Sequence, residues 1–210
     1  MVLICSIFLI NQCRFSTREN DTGITNKEGA KDSLIVKETG KLDSNGNRTG
    51  KWTGYFSGNK IGYLGYYENG LKDSAWIFYN PLGLIVKKEH YSKGLKNGIT
   101  SIYSEGILYD EVEFKNDKKN GRHSHYSSPK QLNYYQEYKD GYFDGEYVLF
   151  FEDGSIKQKG KFVHGRCVGE WLIFYSNGAI MEKTVYASFS AKYREIKYNQ
   201  DGFVISDETK

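Results

Sequence analysis

The sequence predicts an all-β protein: an elongated, single-layer antiparallel sheet in which about six β-hairpins of 24 residues follow one another as a meander. The first observation is a period, because similar segments start at residues 50, 74, 98, 121, 145 and 169. The second is composition, since 18 Tyr and 12 Phe among 210 residues, with only two Pro, favour strands. The third is that glycine-containing turns come twice in each period, as consecutive hairpins require.

The last complete repeat illustrates how one period makes one hairpin. A strand is predicted over residues 171–175, then a turn that ends in glycine, then a returning strand over residues 179–186. A second turn joins each hairpin to the next. We expect the repeat array to cover residues 34–204, with partial units at both ends and a tail at 205–210.

Three columns of side chains recur at fixed places in the repeats and predict the core. An aromatic residue lies five positions after each start, an aliphatic residue follows the turn, and a second aromatic residue lies near the end of the returning strand. The first of these columns holds Tyr55, Tyr79, Tyr103, Tyr126, Phe150 and Phe174. The last holds Tyr67, Tyr91, Phe114, Tyr138, Phe162 and Tyr186.

A fourth column, two residues after the start, suggests a binding surface. It contains Trp52, Trp76, Tyr147 and Trp171. Trp and Tyr are enriched at binding hot spots because they bury a large area at low entropy cost. We therefore expect these four side chains to lie along one face of the sheet and to contact a partner. The alternative is that this column also belongs to the core.

The first residues predict a secretion signal. The apolar run Met1–Ile10 is too short to span a bilayer, which takes about 20 residues. An apolar run that stops at Cys13 and precedes a polar segment resembles a bacterial lipoprotein signal. The resemblance implies a signal segment at 1–12, acylation of Cys13, a polar tether at 13–33 and a cell-envelope location with a lipid anchor in the membrane. A cytoplasmic location is the alternative.

The repeat pattern itself resembles a known family. Gly-x-Trp-x-x-Tyr/Phe, followed by a turn that ends in glycine and then a tyrosine, is similar to the MORN repeat, and residues 169–178 are similar to its bacterial variant. The resemblance covers roughly residues 46–204. It implies a protein of the kind often labelled the antitoxin component of a YwqK-type toxin–antitoxin pair. For MORN arrays in general it implies a surface that contacts proteins or membranes.

Few residues suggest chemistry. His123 and His125 share one face of a strand, a spacing that suits two ligands of a metal, but a zinc site needs three or four. We therefore predict no metal site, with these two histidines as weak candidates. No nucleophile elbow, zinc-helix motif or paired carboxylates occur, so we expect neither an enzyme nor a cofactor.

Charge and composition limit the classes of molecule that we expect as a partner. The formal net charge is +3 and no basic stripe is visible in the sequence, so we expect no nucleic acid partner. The sequence thus favours a non-enzymatic scaffold that presents an extended aromatic sheet surface to another protein. The alternatives are an antitoxin that neutralises a cognate toxin and a module that binds glycans, the cell wall or a membrane surface.

Overall fold

The computed structural model describes residues 34–187 and 193–209. Within them, every regular element is a β-strand apart from one short 3-10 turn at Ser57–Asn59. The strands are antiparallel, and their order in the open sheet follows the order of the chain. The predicted all-β meander is therefore confirmed. The predicted signal segment, tether and Cys13 lie outside the described residues.

The chain divides into two compact units, with the boundary between Gly121 and Arg122. Unit N covers the described residues up to 121, and unit C covers those from 122 onwards. The strands of unit N are β1 (Lys37–Leu42), β2 (Arg48–Tyr55), β3 (Ile61–Glu68), β4 (Leu71–Tyr79), β5 (Ile85–Ser92), β6 (Leu95–Lys96), β7 (Gly98–Ser104) and β8 (Ile107–Lys115).

The strand β9 (Lys118–Ser128) crosses this boundary. Unit C continues with β10 (Gln131–Lys139), β11 (Tyr142–Phe150), β12 (Ile156–Val163), β13 (Arg166–Phe174), β14 (Ile180–Tyr186), β15 (Tyr193–Tyr198) and β16 (Val204–Thr209). The last strand corrects one prediction: residues 205–209, expected as a tail, belong to β16 and pair with β15. The pairing from Arg194 with Thr209 to Tyr198 with Val204 completes a last hairpin beyond the boundary that the repeat period suggested.

The turns that join successive hairpins have the predicted chemistry. Asn69 and Gly70 adopt φ values of 50° and 78°, and His164 and Gly165 adopt 49° and 76°. Two consecutive positive φ angles define a type I′ turn, whose twist matches that of the flanking strands. The tight two-residue connection thereby fixes the register between one hairpin and the next.

Four of the repeat starts, at residues 50, 74, 145 and 169, are β-bulges. Between β3 and β4 the single residue Gly65 lies opposite the three residues 74–76. The start residue adopts a positive φ, 57° at Ser74 and 64° at Gly169. Glycine takes this conformation at no steric cost, which explains why five of the six starts are glycine.

The bulge places a tryptophan directly on the backbone of the preceding strand. A Cβ atom added to Gly65 would lie 2.3 Å from Cδ2 of Trp76, so no side chain fits beneath this ring. The indole Nε1 donates a hydrogen bond to the carbonyl oxygen of Tyr66 at 3.2 Å. Trp52 over Gly40 and Trp171 over Gly160 repeat both features.

This packing predicts a non-additive response to substitution. Gly65→Ala should lower the free energy of unfolding by about 1–3 kcal/mol, because the new methyl group overpacks against Trp76. Trp76→Thr should cost about 3–5 kcal/mol through the lost ring. In the double variant the new methyl group meets no indole ring. The double variant should therefore lose less free energy of unfolding than the two single variants lose together. Urea unfolding of the four proteins measures the difference, and strict additivity would contradict the packing.

Candidate functional site

The tryptophan column lies in the core and does not form an exposed face. Trp52, Trp76, Tyr147 and Trp171 are between 1% and 8% exposed. The three tryptophan rings are buried because each lies on the backbone of a glycine in the preceding strand. Rings of the aromatic column near the end of the returning strand flank them, and Tyr147 is covered by Trp171 and Phe162. Trp76, for instance, meets Tyr67 edge-on at 5.0 Å and Tyr91 at 6.1 Å between ring centroids. The expectation that this column presents its area to a partner is therefore not met.

An aromatic cluster lies among the described residues of unit C. Tyr147 stacks on Trp171 at 5.8 Å, and Phe162 meets Trp171 edge-on at 4.8 Å. Cys167, whose side chain is buried, completes the cluster. Phe143 packs against the same group, 5.3 Å from Phe162.

Unit N has cations over its aromatic residues. The guanidinium of Arg48 lies 4.3 Å from the ring centroid of Trp52, and Nζ of Lys72 lies 4.3 Å from that of Trp76. Nζ of Lys96 lies 5.1 Å from the ring of Phe114. Each such contact stabilises by about 0.5–1 kcal/mol at a partly exposed site. We call Arg48, Lys72 and Lys96 the cation column.

The members of the cation column occupy one place in the repeat. The carbonyl oxygens of Arg48, Lys72 and Lys96 each accept a hydrogen bond from a turn amide of the next hairpin, at 2.8–3.0 Å. Phe143 has the same bond, from the amide of Gly165, so it stands at the same place in unit C. The sequence search missed this column because its charges lie 24 residues apart. Stacking the repeats before searching for basic stripes would have found it.

Two carboxylates neutralise part of this charge. Glu38 accepts hydrogen bonds from Arg48 and from the hydroxyl of Tyr63. Glu89 is 1% exposed and accepts a hydrogen bond from the Tyr91 hydroxyl at 2.8 Å. Its Oε1 also lies 3.1 Å from Nζ of two lysines, without hydrogen-bond alignment, namely Lys87 and Lys96.

Glu89 stands where other repeats have the glycine beneath a tryptophan. It lies 24 residues after Gly65 and pairs with Trp76 across the strands. The next residue of the tryptophan column is Thr100, which is buried and whose Oγ1 has no hydrogen-bond partner among the described residues. A buried ionised group thus replaces the ring-on-glycine contact in the third repeat.

The two histidines pack against tyrosine. The His125 ring stacks on Tyr134 at 5.0 Å, and His123 meets the same ring at 5.8 Å. No group of three potential metal ligands occurs among residues 34–187 and 193–209. In that same part of the chain, no helix is long and apolar enough to cross a membrane.

The hairpin turns of unit N carry exposed apolar side chains along one edge of the sheet. Ile61 follows the first of these turns, Leu82 and Leu84 lie in the second, and Ile107 follows the third. Leu82 is 81% exposed and the other three between 41% and 45%. A depression of about 480 Å³ lies between the first two turns and is lined by Lys60, Ile61, Tyr79, Pro81, Leu82 and Gly83. We call Ile61, Leu82, Leu84 and Ile107 the apolar edge.

The environment of Glu89 predicts a pH dependence of stability. Burial alone would raise the pKa of Glu89, but the hydrogen bond from Tyr91 and the charges of Lys87 and Lys96 outweigh burial and lower it. A lowered folded-state pKa contributes stability that is present above the unfolded value of about 4.3 and is lost as pH falls below it. The free energy of unfolding should therefore fall below about pH 4.3, and less steeply in Glu89→Gln. Glu68→Gln, at an exposed site, is the control. Equal slopes in Glu89→Gln and the wild type would contradict the assignment.

Comparison with known proteins adds no further assignment. No protein-family model matches the chain, and no curated protein matches it. The resemblance to MORN repeats therefore remains a prediction that rests on the motif residues of the repeats themselves.

Proposed function

We propose that this protein is a non-enzymatic binding protein that contacts another protein through the apolar edge of unit N. The observation that carries the proposal is the exposure of four aliphatic side chains at three successive turns of one edge. Turn residues of a folded protein are usually polar, so contiguous apolar side chains there suggest a contact surface.

The apolar edge is continuous. Ile61 and Leu82 share the depression between the first two turns. Leu84 reaches the third turn, where its Cδ2 lies 4.0 Å from the place a Cβ of Gly106 would occupy. Successive turns are two strands apart, which corresponds to about 10 Å. Such a row suits an apolar strand or helix face of a protein partner better than a small molecule.

The burial of the tryptophan column argues against glycan binding and leaves the antitoxin role open. A glycan-binding surface needs aromatic rings exposed for stacking on sugars, and the four rings of this column are buried. An antitoxin role is compatible with the proposal, because neutralising a toxin by direct contact is protein binding at a surface. The MORN resemblance favours this variant of the proposal but supplies no partner.

Substitution of the apolar edge provides the test. We expect Leu82→Asp to weaken capture of the natural partner about fivefold or more. In the complex the partner would cover this side chain, so an aspartate there would have to lose its water. Leu71→Asp is the matched control, since Leu71 is also an exposed leucine, next to a turn of the opposite edge. A photo-crosslinker placed at 82 and at 71 in cells that naturally produce the protein identifies the partner. Equal crosslinking at both positions, or capture unaffected by Leu82→Asp, would contradict the proposal.

We also propose that Cys13, outside the described residues, tethers the protein to a membrane by acylation. The apolar run that stops at this cysteine supports the proposal. When the chain is expressed with its own first residues in a bacterium, it should fractionate with membranes and take up labelled fatty acid. Cys13→Ser should abolish both the label and the fractionation with membranes. An unlabelled wild-type protein that retains Met1 would refute the tether.

A further inference from the structure

We propose that the cation column of unit N binds an extended acidic segment of a partner protein, with Lys72 as the central contact. This surface is separate from the apolar edge, so the inference goes beyond the function proposed above. The groups that this face of the sheet would bind are carboxylates of the partner, spaced at the distance between successive repeats.

The fold does not require positive charge in this column. Phe143 occupies the equivalent place in unit C, makes the same backbone hydrogen bond and packs on Phe162. Cys167, one period later, is likewise buried in an apolar cluster. The repeat therefore accepts an apolar side chain here and gains core packing from it. Four successive repeats of unit N have a cation at this place, since Lys119 precedes the start at Gly121 as Lys96 precedes Gly98. These charges call for a cause other than folding.

Lys72 is the member of the column that lacks a counter-ion. Arg48 pairs with Glu38 and Lys96 pairs with Glu89, whereas Lys72 has no carboxylate within ion-pair distance among the described residues. Three rings surround its ammonium group instead, at 4.3 Å, 4.9 Å and 5.6 Å from Trp76, Tyr91 and Phe78. Burial lowers the pKa of Lys72, while the charge of Glu89 acts in the opposite direction.

The surroundings of Lys72 favour an anion. Lys87, whose Nζ lies 4.6 Å from the Phe78 ring, adds a fourth cation to the same face. Arg48, Lys87 and Lys96 each pair with Glu38 or Glu89, whereas no such pair is found for Lys72 among the described residues. Nearby aspartates are already engaged at the turns: Asp73 and Asp117 each accept a hydrogen bond from a backbone amide. A carboxylate of a partner at Lys72 would pair with the cation of this column that has no carboxylate partner among the described residues.

The spacing of the column defines the occupant. Arg48, Lys72 and Lys96 lie on strands two apart, which places them about 10 Å from one another. A polyproline II segment rises about 3.1 Å per residue with three residues per turn, so every third residue faces the same side at about 9.3 Å. An extended segment with an acidic residue at every third position matches the column.

Peptide binding tests the inference. The probe is a labelled peptide of Glu-Pro-Pro repeats, compared with the same peptide carrying Gln for Glu, and fluorescence anisotropy measures binding to the full chain. We expect the Glu peptide to bind and the Gln peptide to fail. Lys72→Met should weaken binding about fivefold or more, because one screened ion pair is lost. Since the column accepts apolar residues, Lys72→Met should unfold at the same urea concentration as the wild type or at a higher one. If Lys72→Met does not fold, Lys72→Gln is used in its place.

The matched control is Lys88→Met. Lys88 also lies over an aromatic ring, that of Tyr103 at 5.5 Å, but it neighbours Glu89 along β5 and so points to the other face. Lys88→Met should leave binding unchanged, as should Leu82→Asp, which keeps this result separate from that of the apolar edge. Wild-type affinity in Lys72→Met, or an equal loss in Lys88→Met, would overturn the inference. Competition by inorganic phosphate or anionic vesicles at equal charge would overturn the assignment to an acidic segment.

Discussion

The ring of a tryptophan lying on the glycine of the preceding strand is the contact on which the rest of the packing depends. A sheet face with no second layer over it normally leaves large rings exposed. Here Trp76 lies directly on the backbone at Gly65, so it loses its water on one side to the strand and at its edges to the neighbouring tyrosines. Its Nε1 is satisfied by a carbonyl of the same strand. Hence the indole is buried although no second layer covers it among residues 34–187 and 193–209.

The internal repeats vary in a way that follows from this contact. Tryptophan occurs in three of six repeats, and in each the residue beneath it is glycine. Where that glycine is replaced, the tryptophan is replaced too: Thr100 follows Glu89, and Tyr147 follows Gln136. A side chain at the glycine position fills the space that the indole needs, so the two positions change together. In the third repeat, Glu89 and its contacts with Tyr91, Lys87 and Lys96 thus take the place of the contact between tryptophan and glycine.

The period of the sequence predicts the hairpins, the type I′ turns and the aromatic column from Tyr67 to Tyr186, because each depends on local spacing and turn chemistry. It does not predict that the tryptophan column is buried, since the recess beneath Trp76 is made by a glycine on another strand. It also hides the cation column, because Arg48, Lys72 and Lys96 are far apart in the chain and align only when the repeats are stacked. The features that the sequence did not predict are those that depend on how residues of different repeats line up in the sheet.

The same alignment indicates where function is expected in such an array. Positions that the repeat needs, such as the start glycines and the tryptophans on Gly40, Gly65 and Gly160, are committed to the fold and leave little area for a partner. Positions that the repeat does not constrain can carry another property without loss of fold. The apolar edge of unit N lies in the turns, and the cation column takes a place that Phe143 fills in unit C. A charge where an apolar residue is tolerated, and an apolar residue where a polar one is usual, are both departures that packing does not explain. Binding to a partner explains each of them.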